Sequence, residues 1–213
     1  RFRHSFPTRR SQRARRTPEP IAPQPRVLIV SGPSGAGKGT LIARALPRFA
    51  DLTVAISATT RAMRPGEADG IEYHFMRPEE FSAAVSAGEF LEHVEYAGNR
   101  YGTLRREIDR HIDAGRSVIV EIELEGARAI RRMLPEAVTV FIAPPSMNEL
   151  ARRLTDRQTD SPDEIAARLA VGEREIAAME EFDHHVVNDE VERAGEQLVD
   201  IIATATGMQA KGT

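Results

Sequence analysis

The chain has 213 residues, a formal net charge of −3 and no cysteine, a size that suits one domain with room for a subdomain and a substantial core. The missing cysteine excludes disulfides, thiolate chemistry and cysteine-based zinc sites, and no apolar run approaches the ~18 residues of a membrane span, so the cytoplasm is the expected compartment. The modest net charge conceals an imbalance, because residues 1–26 carry eight arginines against the single acid Glu19 and the remainder is correspondingly acidic.

Within residues 1–25, Pro7, Pro18, Pro20, Pro23 and Pro25 break any helix, and only Phe2, Phe6 and Ile21 are sizeable apolar side chains. The segment is expected to be a disordered Arg/Pro-rich extension outside the folded domain. It lacks the apolar stretch of a secretory signal. Its arginines outwardly suit a transit peptide or a nucleic-acid tail, and they are the sole support for a nucleic-acid partner, so none is expected.

The apolar run Val27-Leu28-Ile29-Val30 predicts a strand, and it leads through Ser31 into Gly32-Pro33-Ser34-Gly35-Ala36-Gly37-Lys38-Gly39-Thr40 and then a helical pattern from Leu41. In strand, glycine loop and helix, backbone N–H groups converge on phosphate oxygens, the helix N-terminus adds partial positive charge, and Lys38 reaches the transferable phosphates. Gly32 to Thr40 are therefore the candidate triphosphate site. Where a Mg²⁺-ligating Ser or Thr usually follows the lysine stands Gly39, with the nearest hydroxyl on Thr40. Only Lys38 and Lys211 are lysines among 29 basic residues, which marks position 38 as one that requires a compact ammonium.

Downstream, the pattern predicts a strand over 53–57, a helix from Pro78 to about 87, a strand over 90–96 and a helix from 103 or 104 to 114, stopped by Gly115. A strand over 118–122, a helix over 126–134 and a strand over 138–142 follow. Helices over about 146–156 and 162–182, a strand over 185–187 and a helix over about 190–203 complete the series, with a polar tail at 208–213. Apolar strands alternating with helices mean an α/β fold, a parallel sheet covered by helices on both faces. His184 and His185 are neighbours on a strand and point to opposite faces, so they cannot chelate together, and no protein metal site is expected.

The segment Ser57-Ala58-Thr59-Thr60-Arg61-Ala62-Met63-Arg64-Pro65-Gly66-Glu67 sets two arginines three residues apart among hydroxyls, with Tyr73 soon after. Guanidinium forks pair with phosphate oxygens, so this composition suits a phosphate monoester. Together with the glycine loop, Phe90-Leu91-Glu92, Tyr101-Gly102-Thr103 and Val138-Thr139-Val140-Phe141-Ile142-Ala143-Pro144-Pro145-Ser146, it resembles the guanylate kinase family in order and spacing over about residues 26–205.

The resemblance implies a P-loop core over 26–56 and 113–207, an inserted GMP-binding subdomain at about 57–112 that closes on its substrate, and a short lid at about 153–165. Arg61, Arg64, Tyr73 and Tyr101 would hold the GMP phosphate with Glu67 close by. Ser57, Glu92, Thr103 and Glu123 would face guanine, whose N1–H and 2-amino groups are donors that carboxylates accept, whereas the acceptor N1 of adenine would repel them. Arg153, Arg157 and Arg168 would lie over the phosphates, and Asn188 on the adenine side. Where the family usually shows Asp-x-Asp, this chain has Glu121-Ile122-Glu123; each side chain is one methylene longer, which shifts the metal-water contact of Glu121 and the base contact of Glu123.

The expected activity is therefore ATP-dependent phosphorylation of GMP and dGMP, with Mg²⁺ bridging the ATP phosphates and Lys38, Arg61, Arg153, Arg157 and Arg168 stabilising the charge in transfer. Monomer and homo-oligomer are equally compatible with the sequence. Gly-Lys-Gly-Thr also occurs in adenylate kinases, and guanylate kinase-like scaffolds bind phosphopeptides in the former GMP pocket. The acidic base-reading positions argue against the first alternative, and the retained Lys38 and lid arginines against the second.

Overall fold

The computed structural model describes residues 24–96, 98–156 and 161–212. Strand β1 (Val27–Ser31) runs into the glycine loop and helix α1 (Lys38–Ala45), and β2 (Leu52–Val54), β3 (Ala58–Thr59), β4 (His74–Phe75) and α2 (Pro78–Ser86) follow. Next come β5 (Phe90–Tyr96), β6 (Asn99–Leu104), α3 (Arg105–Asp113), β7 (Ser117–Glu121), α4 (Leu124–Met133) and β8 (Val138–Ala143). Helices α5 (Met147–Asp156) and α6 (Pro162–Ala177), strand β9 (His184–Val187) and helix α7 (Val191–Thr206) close the chain.

The main sheet has the order β2-β7-β1-β8-β9, and its pairings are parallel throughout. Alternation along β1 explains why it sits in the middle. Leu28 and Val30 join Leu41, Ile42, Leu198 and Ile202 of α1 and α7 on one face, while Ile29 joins Ile108, Ala127 and Ile130 of α3 and α4 on the other. All three β1 side chains are fully buried. A strand apolar from Val27 to Val30 thus serves two cores, as expected of a parallel sheet covered on both faces.

A second sheet of order β4-β3-β6-β5 was not foreseen as a unit. Strands β3 and β4 are two residues long, too short to leave a periodic signal. Residues 103 and 104, expected to open a helix, end β6 instead, and α3 begins at Arg105. Antiparallel pairing with β5 overrides the local preference, setting Thr103 opposite Glu92. The strand expected over 53–57 stops at Val54, and the helix expected over 162–182 ends at Ala177 before a 3-10 turn at Met179–Glu181. The second sheet has its own small core, in which Phe81 and Phe90 stack with centroids 4.4 Å apart beside Ala58, Ala84 and Leu104.

Local chemistry fixes several element ends. Helix α6 opens with a capping box, the Ser161 N–H donating to Glu164 at 2.7 Å, with Pro162 at the first helical position. Helix α7 stops at Gly207, whose φ of 70° is left-handed. The residues beyond it do not stand apart from the fold: Met208 and Ala210 pack on the core, and the Lys211 N–H donates to the Arg48 carbonyl at 2.8 Å. At the other end the Gln24 N–H already donates to the Thr206 carbonyl, two residues before the expected start at 26. The expected disordered extension otherwise lies outside the described residues. Among the described residues no helix is long and apolar enough to cross a membrane.

Phe81→Ala should cost about 3–5 kcal/mol, since the ring is fully buried in the small core of the second sheet. Differential scanning calorimetry checks this, and a loss below about 1 kcal/mol would show that the small core is not a packed unit.

Candidate active site

Glycine is required where the loop leaves β1. Gly32 has φ 140°, and a Cβ there would lie 2.1 Å from the Ile142 carbonyl oxygen on β8. Gly37, the residue before α1, has φ 91°, and a Cβ there would meet Asn188 Nδ2 at 2.3 Å. Between them the backbone folds into a concavity suited to an anion at a helix N-terminus. Lys38 bends back across it, Nζ donating to the carbonyls of Gly32 (2.6 Å) and Pro33 (3.4 Å). A cavity of about 300 Å³ lies against Ser34, Gly35, Gly37, Lys38, Gly39 and Thr40, with Glu121 on its far side.

Three residues named from the sequence hold the loop by hydrogen bonds. Asn188 is 2% exposed and donates Nδ2 to the Ala36 carbonyl at 2.7 Å, which leaves its buried Oδ1 with no protein partner among the described residues. Arg153 donates to the carbonyls of Asn188 (2.9 Å) and Ala36 (3.4 Å) while Glu149 holds its Nε at 2.8 Å. Arg152 and then Arg153 keep the Glu149 carboxyl down at about 2. From α6, Arg168 donates to Ser34 Oγ at 2.9 Å. Arg157 lies outside the described residues.

A second cavity, of about 490 Å³, opens between the two sheets. Ser57, Tyr73, Glu92, Tyr101, Glu121 and Glu123 line it, and His93, Val94, Gly102, Ile122, Glu125, Gly126 and Ala129 complete its wall. Thr103 stands one layer back, its hydroxyl donating to Glu92 at 2.8 Å. Burial pushes the Glu92 carboxyl above the usual range, more strongly than the Thr103 hydroxyl and backbone pull it down. A smaller cavity of about 390 Å³, bordered by Lys38, Ser57, Tyr73, Glu121 and Glu123, lies between the other two, and Glu121 borders all three.

At the rim, Arg61 forms a two-pronged pair with Glu67 at 2.7 and 3.0 Å, its guanidinium 5.4 Å from the Tyr73 ring centre. Glu67 also accepts from the Arg64 backbone N–H at 2.7 Å, and these donors hold its carboxyl below the ordinary value. Glu67 thus orients the Arg61–Arg64 turn. Tyr73 and Tyr101 meet edge to face at 6.0 Å. The Arg64 side chain is exposed, and none of Arg61, Arg64 and Glu67 borders the three cavities.

Two carboxylates escaped the sequence reading. Glu175 is 5% exposed on α6; burial raises its pKa while Lys38 pulls it down and Glu123 adds to the rise. Its seven-residue spacing from Arg168 puts the two on one helical face, the one signal that could have found it. Glu107 on α3, the second, left no such trace. Among the described residues no group of three or more His, Asp and Glu is arranged to hold a metal ion.

A phosphate loop with a single lysine, joined through a shared carboxylate wall to a pocket with paired acids and a tyrosine-arginine rim, defines a P-loop kinase that phosphorylates a second small molecule. The family model for guanylate kinase matches residues 24–205. Guanylate kinase from Rubrobacter xylanophilus is 50% identical over 177 residues, covering 83% of this chain and 93% of that protein. Guanylate kinase from Frankia casuarinae is 51% identical over 171 residues, covering 80% and 93%. The crystal structure of guanylate kinase from Anaplasma phagocytophilum superimposes with a TM-score of 0.67 at 32% identity, covering 87% of this chain and 88% of that one. The chain belongs to the guanylate kinase family, whose members transfer phosphate from ATP to GMP.

Gly37→Ala should weaken ATP binding by at least about tenfold, because a β-carbon in this left-handed conformation must displace Asn188 from the loop. Isothermal titration with ATP checks it, and unchanged affinity would show that the loop tolerates other backbone paths.

Proposed function

We propose that GMP, and dGMP with it, binds in the cavity between the two sheets and receives the γ-phosphoryl group of ATP held in the glycine loop. What carries this reading is the continuity of the two cavities through Lys38, Glu121 and Glu123. Glu92 and Glu123 accept the N1–H and 2-amino donors of guanine, and Ser57 completes the polar edge. Tyr73, Tyr101, Arg61 and Arg64 hold the acceptor phosphate, with Glu67 keeping Arg61 in place. Both deoxy and ribo acceptors fit a site that reads the base and the phosphate.

On the donor side, backbone N–H groups of the loop and Lys38 hold the β- and γ-phosphates, while Arg153, Arg157 and Arg168 cover the transferring group. Asn188 Oδ1 faces the adenine side and accepts from an amino group, which adenine has at C6 and guanine lacks there. Mg²⁺ would be held by the ATP phosphates with Thr40 and Glu121. Glu121 Oε2 lies 3.7 Å from where a Cβ on Gly39 would stand, so hard oxygen donors face the loop as this ion requires. When bound, the ion neutralises charge on the β- and γ-phosphates. Residues 57–112 close over GMP and residues 153–165 over ATP, which excludes water and suppresses hydrolysis. The cytoplasm, where both nucleotides are supplied, is the place of action.

A coupled ADP-release assay tests the reading: turnover with GMP should exceed that with AMP, CMP or UMP by about two orders of magnitude or more, and parity would sink it. Glu92→Gln should raise KM for GMP by about tenfold or more while leaving KM for ATP unchanged.

The pH dependence has a definite sign. Burial raises the pKa of Glu92, so the carboxylate is present above that raised value and base recognition is lost as pH falls through it. KM for GMP should climb on acidification before a free glutamate, near 4.3, would protonate, and Glu92→Gln should flatten that limb. The unliganded fold, by the same shift, gains stability from this residue as it protonates.

Gly39→Ser should change kcat by less than about tenfold, or ~1.4 kcal/mol, because Thr40 or ordered water near the β-phosphate serves in place of the hydroxyl. The Gly39 backbone is not left-handed, and the added carbon would meet Glu121 only at ordinary contact distance. A much larger gain in kcat would mean that the natural loop is impaired.

A further inference from the structure

The connections between the two sheets pass one buried carboxylate. Glu107, on α3, is 3% exposed, and a carboxylate removed from water is tolerated only where donors surround it. Four groups do so. His74 Nε2 lies 3.1 Å from it, His111 Nε2 3.2 Å, Arg110 Nη2 3.0 Å and the backbone N–H of Ile56 3.3 Å. The Nδ1 of His111 faces Arg116 Nη2 at 3.1 Å, a donor, so the Nε2 of that ring carries the proton toward Glu107. Burial would raise the Glu107 pKa, and the donors outweigh it, so the group is held ionised.

The donors come from three separate segments. Arg110 and His111 belong to α3 itself. Ile56 lies where the chain leaves the main sheet after β2, and His74 is the first residue of β4 in the second sheet. Helix α3 begins directly after β6, where the chain returns. Both outward and return connections therefore converge on one side chain.

The neighbours of those donors are residues of the acceptor cavity. Ile56 precedes Ser57 and His74 follows Tyr73, and both Ser57 and Tyr73 line the cavity. The His74 backbone N–H donates to the Ser57 carbonyl at 2.9 Å, tying the two positions together. Consecutive residues of extended chain point to opposite sides. With His74 turned back to Glu107, Tyr73 is turned toward the cavity, where it meets Tyr101 and Arg61.

We propose that Glu107 is a positioning residue for the acceptor site, clamping Ser57 through Ile56 and Tyr73 through His74 without touching the substrate. This rests on the reading of that cavity as the GMP site. A positioning role predicts selectivity: the acceptor side should suffer, and the glycine loop, held by Asn188, Arg153 and Arg168, should not.

Steady-state kinetics of the full chain with GMP and ATP varied separately, alongside thermal melting, test it. Glu107→Gln keeps the shape but replaces one acceptor oxygen with a donor, and should raise KM for GMP by about tenfold or more with KM for ATP within about threefold. His74→Leu, which removes only the clamp on the second sheet, should raise KM for GMP by at least about threefold. His111→Leu removes a donor that adjoins no cavity residue and should leave both KM values unchanged, whatever it does to the melting temperature. Should Glu107→Gln fail to fold, the contrast between His74→Leu and His111→Leu decides the matter. Equal rises in both KM values, or a lowered melting temperature with KM for GMP unchanged in His74→Leu, overturns the proposal. Absence of GMP turnover by the unaltered protein would overturn the functional reading and this inference together.

Discussion

The molecule depends on carbonyls as much as on amides at the loop after β1. For backbone N–H groups to face a polyphosphate, the carbonyls of the same residues must turn away from it, and buried carbonyls need donors. Asn188 and Arg153 supply them at Ala36, and Lys38 supplies them at Gly32 and Pro33. The donors come from the end of β9, from α5 and from α1, so folding the sheet and its helices is what stiffens the loop. Close packing removes the remaining freedom, since a side chain at Gly32 would strike β8 and one at Gly172 would meet Leu150 and Pro33.

The charge pattern around Lys38 is the second constraint. Glu121, Glu123 and Glu175 stand beside or behind it, and Glu92 across the acceptor cavity. Such an acidic floor repels anions and suits groups that donate hydrogen bonds, while the cations stand at the rim and on the helices. Arg61 approaches from the second sheet, Arg153 from α5 and Arg168 from α6, each already oriented by a protein partner. Preorganised guanidinium groups lose little freedom when an anion arrives, which suits a reaction that consists of alignment and charge stabilisation.

The second sheet has a small core of its own, and Leu91 of β5 packs into one of the two main-sheet cores. Polar contacts at the crossings, among them the buried Glu107 cluster, add directional ties between the two. Hydrogen bonds are directional where apolar contacts are not, so a polar hinge holds one arrangement closely while requiring little buried area. A carboxylate in that position is costly to leave half satisfied, and its four donors come from parts of the chain that must be placed relative to one another.

By itself the sequence determined the glycine loop, the parallel sheet with helices on both faces and the family, because each rests on local spacing or on an uninterrupted apolar strand. It also named part of the cavity wall, Ser57, Tyr73, Glu92, Tyr101, Glu121 and Glu123, because the family resemblance points to those positions. Only the tertiary structure decided the second sheet. Two-residue strands have no period, and the strand at 99–104 owes its form to pairing with residues 90–96. Tertiary contacts likewise showed Glu67 as the partner of Arg61, Asn188 as a brace of the loop, and Glu107 and Glu175 as buried acids. Those roles are defined by groups distant in sequence, 152 positions apart for Asn188 and Ala36, and spacing within one stretch of chain holds no record of such a meeting.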